Sequence, residues 1–134
     1  MIREGTQLGN ARFEGSAVIE QDCRIQGDPE IVFGESFYMN AFSDVRGDVR
    51  FGRDVLLGPK VVISDRRDPS RASGPDERAP VRIGDDVWIA AACVVMGGVT
   101  IGSGCVLGAG CVVLEDLPPG SIAVGNPIRV VRRR

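Results

Sequence analysis

The sequence predicts an all-β chain wound as a single parallel β-helix of about five coils, with one protruding loop over residues 64–82. Three observations predict it. An apolar residue recurs at every sixth position through Phe33, Met39, Val45, Phe51, Leu57 and Ile63, and again through Ile83, Ile89, Val95, Ile101, Leu107 and Val113. A second track runs four residues after the first and is mostly small or β-branched: Phe37, Ser43, Val49, Val55, Val61, then Val87, Cys93, Val99, Cys105, Cys111, Leu117. The interruption, from Ser64 to Arg82, is rich in proline, serine and charge, and the register resumes after it. A period of six matches neither a helix near 3.6 nor an isolated strand of two; it fits a flat-sided coil in which each six-residue unit supplies one short strand and one corner.

Taken in order, Phe13, Ile19 and Ile25 begin the repeat, with two extra residues before Phe33. Three units per turn stack residue i on residue i+18, about 4.8 Å away, which closes a parallel ladder. Phe33 is then expected beneath Phe51, Ile83 beneath Ile101, and Ile89 beneath Leu107. The residue after the aliphatic one is often tiny (Gly34, Gly52, Gly58, Gly84, Ala90, Gly102, Gly108), and glycine there is expected to supply the corner dihedrals. An antiparallel sandwich would need turn signals every ~8–12 residues, and the chain lacks them. The cysteines Cys23, Cys93, Cys105 and Cys111 fall on the small-residue track and read as small buried hydrophobes. Residues 1–134 make one domain, with the tail 118–134 expected to pack beside the last coils.

Composition supports thin, regular layers: 43% hydrophobic residues but only 5% aromatic, with 18 glycines. A net charge of −2 argues against a nucleic-acid footprint or a membrane-surface patch. No apolar run approaches the ~20 residues of a membrane span, and the N-terminus opens on charge; the protein reads as cytoplasmic. There is no histidine, which rules out a histidine general base and any histidine-ligated metal; no metal is expected.

Three stretches carry a resemblance: Ile83-Gly84-Asp85-Asp86-Val87-Trp88-Ile89, then Gly98-Val99-Thr100-Ile101-Gly102, then Leu107-Gly108-Ala109-Gly110-Cys111-Val112-Val113. So does the ending, Asp116-Leu117-Pro118-Pro119-Gly120 with Gly125-Asn126-Pro127-Ile128-Arg129-Val130-Val131-Arg132. From about Phe37 to Arg132 the chain resembles the hexapeptide-repeat acyltransferases, specifically the maltose/galactoside acetyltransferase group. The resemblance implies a left-handed coil, a homotrimer, and active sites in clefts between subunits. There acetyl-CoA, the acyl donor, meets a small-molecule acceptor, a sugar or an amine. Spacing alone does not set the hand, and the usual crossover preference is right-handed.

Residue by residue, the resemblance implies an active-site asparagine at Asn40 and a tryptophan lining the cofactor side of the cleft at Trp88. It implies small positions facing the pantetheine arm at Ala91 and Ala109. Arg129 and Arg132 match a pair near the CoA phosphates, where planar guanidinium groups form charge-assisted bonds. Leu114 and Glu115 stand where the family usually has a small hydroxyl residue and a lysine near CoA. The family's catalytic histidine, which takes the acceptor's proton, falls on Asp68, just before Pro69. Two readings follow. Either Asp68, its pKa raised by burial, or the acceptor's own amine handles the proton, and the protein is an atypical acyltransferase tilted towards nitrogen acceptors. Otherwise it is a catalytically silent binding or structural subunit.

Overall fold

A computed structural model describes all residues 1–134, and every one of its regular elements is a strand. Coil 1 is β1 (Gln7–Phe13), and coil 2 holds β2 (Ala17–Ile19) and β3 (Arg24–Phe33). Coil 3 holds β4 (Phe37–Met39) and β5 (Asp44–Phe51). Coil 4 holds β6 (Leu56–Leu57), β7 (Val62–Ser64) and β8 (Val81–Ile83), and coil 5 holds β9 (Trp88–Ile89), β10 (Val94–Val95) and β11 (Thr100–Ile101). Coil 6 holds β12 (Val106–Leu107) and β13 (Val112–Val113), followed by β14 (Ser121–Val124) and β15 (Arg129–Arg133).

The coils stack as a prism with three faces. Face A runs β2-β4-β6-β9-β12-β14, all parallel, and β15 closes it antiparallel to β14. β1, β3 and β5 each turn a corner and serve both other faces; face B continues through β7, β10 and β13, face C through β8 and β11. The expected ladders are present: Ile83 pairs Ile101 and Ile89 pairs Leu107 in register, and the Gly34 amide donates to the Phe51 carbonyl. The turns number about six, one more than the repeat predicts. The extra one is the Ile2–Phe13 stretch, where Ile2 bridges Ile19 but Leu8 stays exposed, so no six-residue signature marks it.

Both tracks point inwards. Ile19, Ile25, Met39, Leu57, Ile89 and Leu107 are fully buried, as are the second-track Val61, Cys93, Cys105 and Cys111. The rings of Phe13, Phe33 and Phe51 stack up one column at 4.8 and 5.4 Å, and Phe37 meets Phe33 at 4.6 Å. All four thiols are buried and unpaired. Burial away from water, chiefly, pushes the Cys93 thiol up to about 11, so it is held as an inert protonated group. Ser43 is one of three buried polar residues, with Asp65 and Ser121. Its hydroxyl donates to the Gly58 carbonyl and accepts from the Val61 amide, both at 3.1 Å. Ser43→Ala therefore strands two buried backbone groups and is expected to cost about 1–3 kcal/mol, readable as a fall in the urea midpoint.

The corners correct one expectation. Left-handed backbone falls mostly on non-glycine residues, including Phe42 (φ 62), Lys60 (φ 61) and Ala92 (φ 60), which stack along the edge between faces A and B. The glycine column after the aliphatic residues has a different cause. A Cβ on Gly34 would lie 2.2 Å from the Gly52 carbonyl oxygen, so glycine there permits close approach of successive coils.

The 64–82 loop is an arm, tied down at several points. Arg66 and Arg78 form an antiparallel bridge, with the Arg67 amide on the Glu77 carbonyl at 3.0 Å. The Gly97 and Gly98 amides donate to Arg66 and Ala79 carbonyls of the arm. Ion pairs tie its ends to distant coils: Arg78 to Asp28 at 3.0 Å in coil 2, and Arg71 to Glu115 at 2.6 Å in coil 6.

Candidate active site

Most of the sequence-predicted site residues converge on one edge of the prism. Along the outer side of face A, Tyr38, Leu56, Trp88, Val106, Ile122 and Arg132 form a continuous column in register. Trp88 is 53% exposed there, because an odd-numbered shift from the inward Ile89 turns it outwards. At the adjoining corner, Ala91 and Ala109 stack one above the other, and Asn40 stacks on Gly58 in the neighbouring row. Small residues leave this corner shallow. Arg129 lies on β15 opposite Val124, at the foot of the same face.

Asn40 is half-buried, and its side-chain carbonyl accepts from the Ala41 amide at 2.7 Å. That fixes the orientation of the side-chain amide, whose NH2 makes no hydrogen bond within the chain. Glu20 lies next to Asn40 along the same edge and was missed by sequence reasoning. It accepts from Tyr38 Oη at 2.7 Å and from Arg3 Nε at 3.1 Å. The Tyr38 hydroxyl, then Arg3, hold its carboxyl below the usual range, while the same bond raises the Tyr38 phenol. The only sequence signal for this cluster is the coil-to-coil spacing, which pairs positions rather than motifs.

Asp68 is not on that edge. The arm leaves the corner between faces B and C, so the width of face B separates Asp68 from Asn40 within one chain. Its carboxylate accepts from the Ser70 amide at 3.0 Å and from the Ser70 hydroxyl, while its carbonyl accepts from the Arg71 and Ala72 amides. The residue is only half-buried, and the shift has the opposite sign to the one expected from burial. The carboxyl is held below the ordinary aspartate value, first by the Ser70 hydroxyl and then by the Ser70 amide. A lowered folded-state pKa stabilises the turn above the unfolded-state value, and that contribution fades as pH falls through the folded one. Ser70→Ala should raise the Asp68 pKa towards the ordinary value, read from side-chain carboxyl shifts in an NMR titration.

Around Asp68 the charges pair off. Arg66 lies 3.7 Å from Asp76, and Arg67 Nε lies 2.9 Å from Glu77 Oε2, though off the N–H direction, which makes it an ion contact rather than a hydrogen bond. Glu115 is neutralised by Arg71, so it does not stand as a bare negative charge beside the last coil. With Val112, Leu114, Pro127 and Ile128 this pair lines a cavity of about 290 Å³.

A family model described as bacterial transferase hexapeptide (six repeats) matches residues 80–115. Galactoside O-acetyltransferase of Escherichia coli is 39% identical over 123 residues, covering 87% of this chain and 61% of that protein. Among solved structures, a galactoside acetyltransferase in complex with coenzyme A superposes with a TM-score of 0.74 at 30% identity, covering 96% of this chain and 64% of that one. An N-acyltransferase from Bacillus cereus, AntD, in complex with dTDP and coenzyme A, superposes with a TM-score of 0.86 at 20% identity, covering 98% and 78%. That likeness is one of fold, the left-handed β-helix of acyltransferases. The match spans between about a third and three-fifths of the length of the curated relatives.

Proposed function

The chain is a hexapeptide-repeat protein homologous to galactoside and maltose O-acetyltransferases, and from that premise we propose that it is the subunit of a CoA-dependent acyltransferase acting on a sugar or small amine. The observation that carries this reading is the gathering along one edge of three neighbouring rows, Trp88 with Arg132, Ala91 with Ala109, and Asn40 beside them. On this reading acetyl-CoA lies along the edge, its pantetheine over the shallow alanine corner and its phosphates near Arg129 and Arg132. Charge-assisted bonds from guanidinium to phosphate supply the affinity.

The acceptor's nitrogen attacks the thioester carbonyl; the C–N bond forms, the C–S bond breaks, and CoA leaves as a thiolate that takes up the proton the nitrogen releases. An amine suits this chain because its own Asp68 is a weak base: bonded to Ser70 and shifted downwards. The Asn40 amide has two free N–H donors for the thioester oxygen or the acceptor.

Assembly as a homotrimer belongs to the same proposal. Leu56, Val62, Phe42 (52% exposed) and Trp88 present apolar surface around the edge between faces A and B. A threefold arrangement would set that edge against the arm of a neighbouring subunit and bring Asp68 towards Asn40 across the interface. Light scattering should then give three times the 14.3 kDa chain mass. The cytoplasm, where thiols stay reduced, suits four unpaired cysteines.

Titration with CoA up to millimolar concentration is expected to raise the melting temperature, and Arg129→Ala with Arg132→Ala to weaken binding by about tenfold or more. No shift at millimolar CoA would remove the acyltransferase reading. The silent-subunit reading draws on one observation, the engagement of Asp68 with Ser70 in a chain without histidine. CoA binding with no acetyl transfer to any amine or sugar would establish it instead.

A further inference from the structure

A different hollow, of about 430 Å³, lies where coils 2 to 4 meet the arm, and no apolar side chain lines it. Its charged lining is Asp28, Arg46, Asp65, Arg66 and Arg78. Asp65 is only 6% exposed and sits between Gly47 and Gly97 in adjacent coils. A Cβ on Gly47 would lie 2.1 Å from the Asp65 carboxylate, and one on Gly97 would lie 2.1 Å from its carbonyl oxygen. Both neighbours are thus cleared to seat this residue. Oδ2 accepts from the Asp48 amide at 3.1 Å, and Oδ1 accepts no hydrogen bond from the chain.

The arginines differ in their commitments. Arg46 makes two hydrogen bonds to Asp44, at 2.9 and 3.1 Å, and Arg78 bonds Asp28 at 3.0 Å. Arg66 has only the 3.7 Å contact with the exposed Asp76. Within one small cleft the chain therefore leaves one acceptor oxygen without a hydrogen bond and one guanidinium held only by a long, exposed ion contact, on consecutive residues. A buried carboxylate is costly unless it is paired, and a ligand that pairs both charges carries charges of both signs.

We infer that this cleft is the acceptor subsite and that it selects a small zwitterion, an amino sugar or amine bearing a phosphate or carboxylate, with its nitrogen on Asp65 and its anion on Arg66. The inference rests on the acyltransferase reading for what happens next. The bound ammonium gives one proton to water, the neutral amine keeps an N–H on Asp65 Oδ1, and its lone pair stays available. Asp65 positions the nitrogen and forms no covalent bond.

The test is calorimetry on the full chain with three probes: glucosamine 6-phosphate, glucosamine, and glucose 6-phosphate. Glucosamine 6-phosphate is expected to bind about tenfold tighter than either sugar that carries only one of the two charged groups. Asp65→Asn should bring its preference over glucose 6-phosphate to within about twofold, and Arg66→Ala its preference over glucosamine. A merely structural role for Asp65 would weaken all three sugars together and spare the ratio. Equal affinity for the three, no binding of any, or ratios unchanged in both variants would overturn the inference. Should Asp65→Asn fail to fold, Arg66→Ala, at an exposed side chain, decides alone. CoA titrated into the same samples separates the two claims. CoA binding without a sugar preference removes the zwitterion subsite and leaves the acyltransferase reading, whereas a sugar preference without CoA binding does the reverse.

Discussion

Phe33→Ala is expected to cost about 3–5 kcal/mol of folding stability. Phe33 is fully buried and its ring touches three others: Phe13 at 4.8 Å, Phe51 at 5.4 Å and Phe37 at 4.6 Å. Each such aromatic pair contributes about 0.5–1.5 kcal/mol beyond its buried area. The cavity left behind has little means of closing, since backbone ladders hold coils 2 and 3 at their fixed separation on both sides of the gap. The upper half of the range is therefore expected, and urea denaturation followed by far-UV dichroism would read it as a lowered midpoint. A loss under about 1 kcal/mol would mean that coils 1 to 3 are already loosely packed. Because stability in stacked repeats is roughly a sum of neighbour terms, a broadened transition would point to the N-terminal coils unfolding before the rest.

Asp68→His is the second large effect, and it is a gain. With imidazole at this position, transfer of acetyl to a sugar hydroxyl is expected to rise by about 10²-fold or more, the range of a positioned general base. The reasoning is one of basicity. The present carboxyl is held below its ordinary value by Ser70, whereas an unperturbed imidazole ionises near 6.5 and takes a hydroxyl proton far more readily. The new activity, measured with methyl galactoside as acceptor, should appear as pH rises through the imidazole pKa. Transfer to an amine should change much less, since a neutral amine needs little help. No gain at any pH from about 6 to 9, in a variant that still binds CoA, would show that residue 68 does not reach the acceptor.

The solenoid was almost fully legible in the sequence because one period governs it. Ile83 under Ile101 and Ile89 under Leu107 follow from counting, and the buried cysteines follow from their track. What counting missed lacks the period. Coil 1 carries an exposed Leu8 where a buried residue would mark the repeat. The left-handed corner residues Phe42, Lys60 and Ala92 are not glycines, and only at Gly110, in the last coil, does their column show the residue that such a conformation favours. The candidate site was legible as a set of positions but not as surroundings. That Trp88 and Arg132 share a column could be counted, given β14 and β15; that Ser70 holds Asp68, or that Arg71 offsets Glu115, depends on how the arm folds back. Asp65 was visible only as one charge in a run of four, and its burial between two glycines is a property of the stack.

The ladder takes up at β8 and β9 as though nothing had intervened, with Phe51 opposite Ile83 and Leu57 opposite Ile89. A segment that leaves and returns at one corner does not disturb the strands, and lengthening such an excursion costs little, about 0.6 kcal/mol per doubling. Heredity can therefore edit this part of the chain almost freely. If the chain is the acyltransferase subunit proposed above, changes of length and chemistry in the arm would alter which acceptor is chosen without taxing the prism that carries it, and selection for new substrates and for a stable fold would act on separate stretches of the gene.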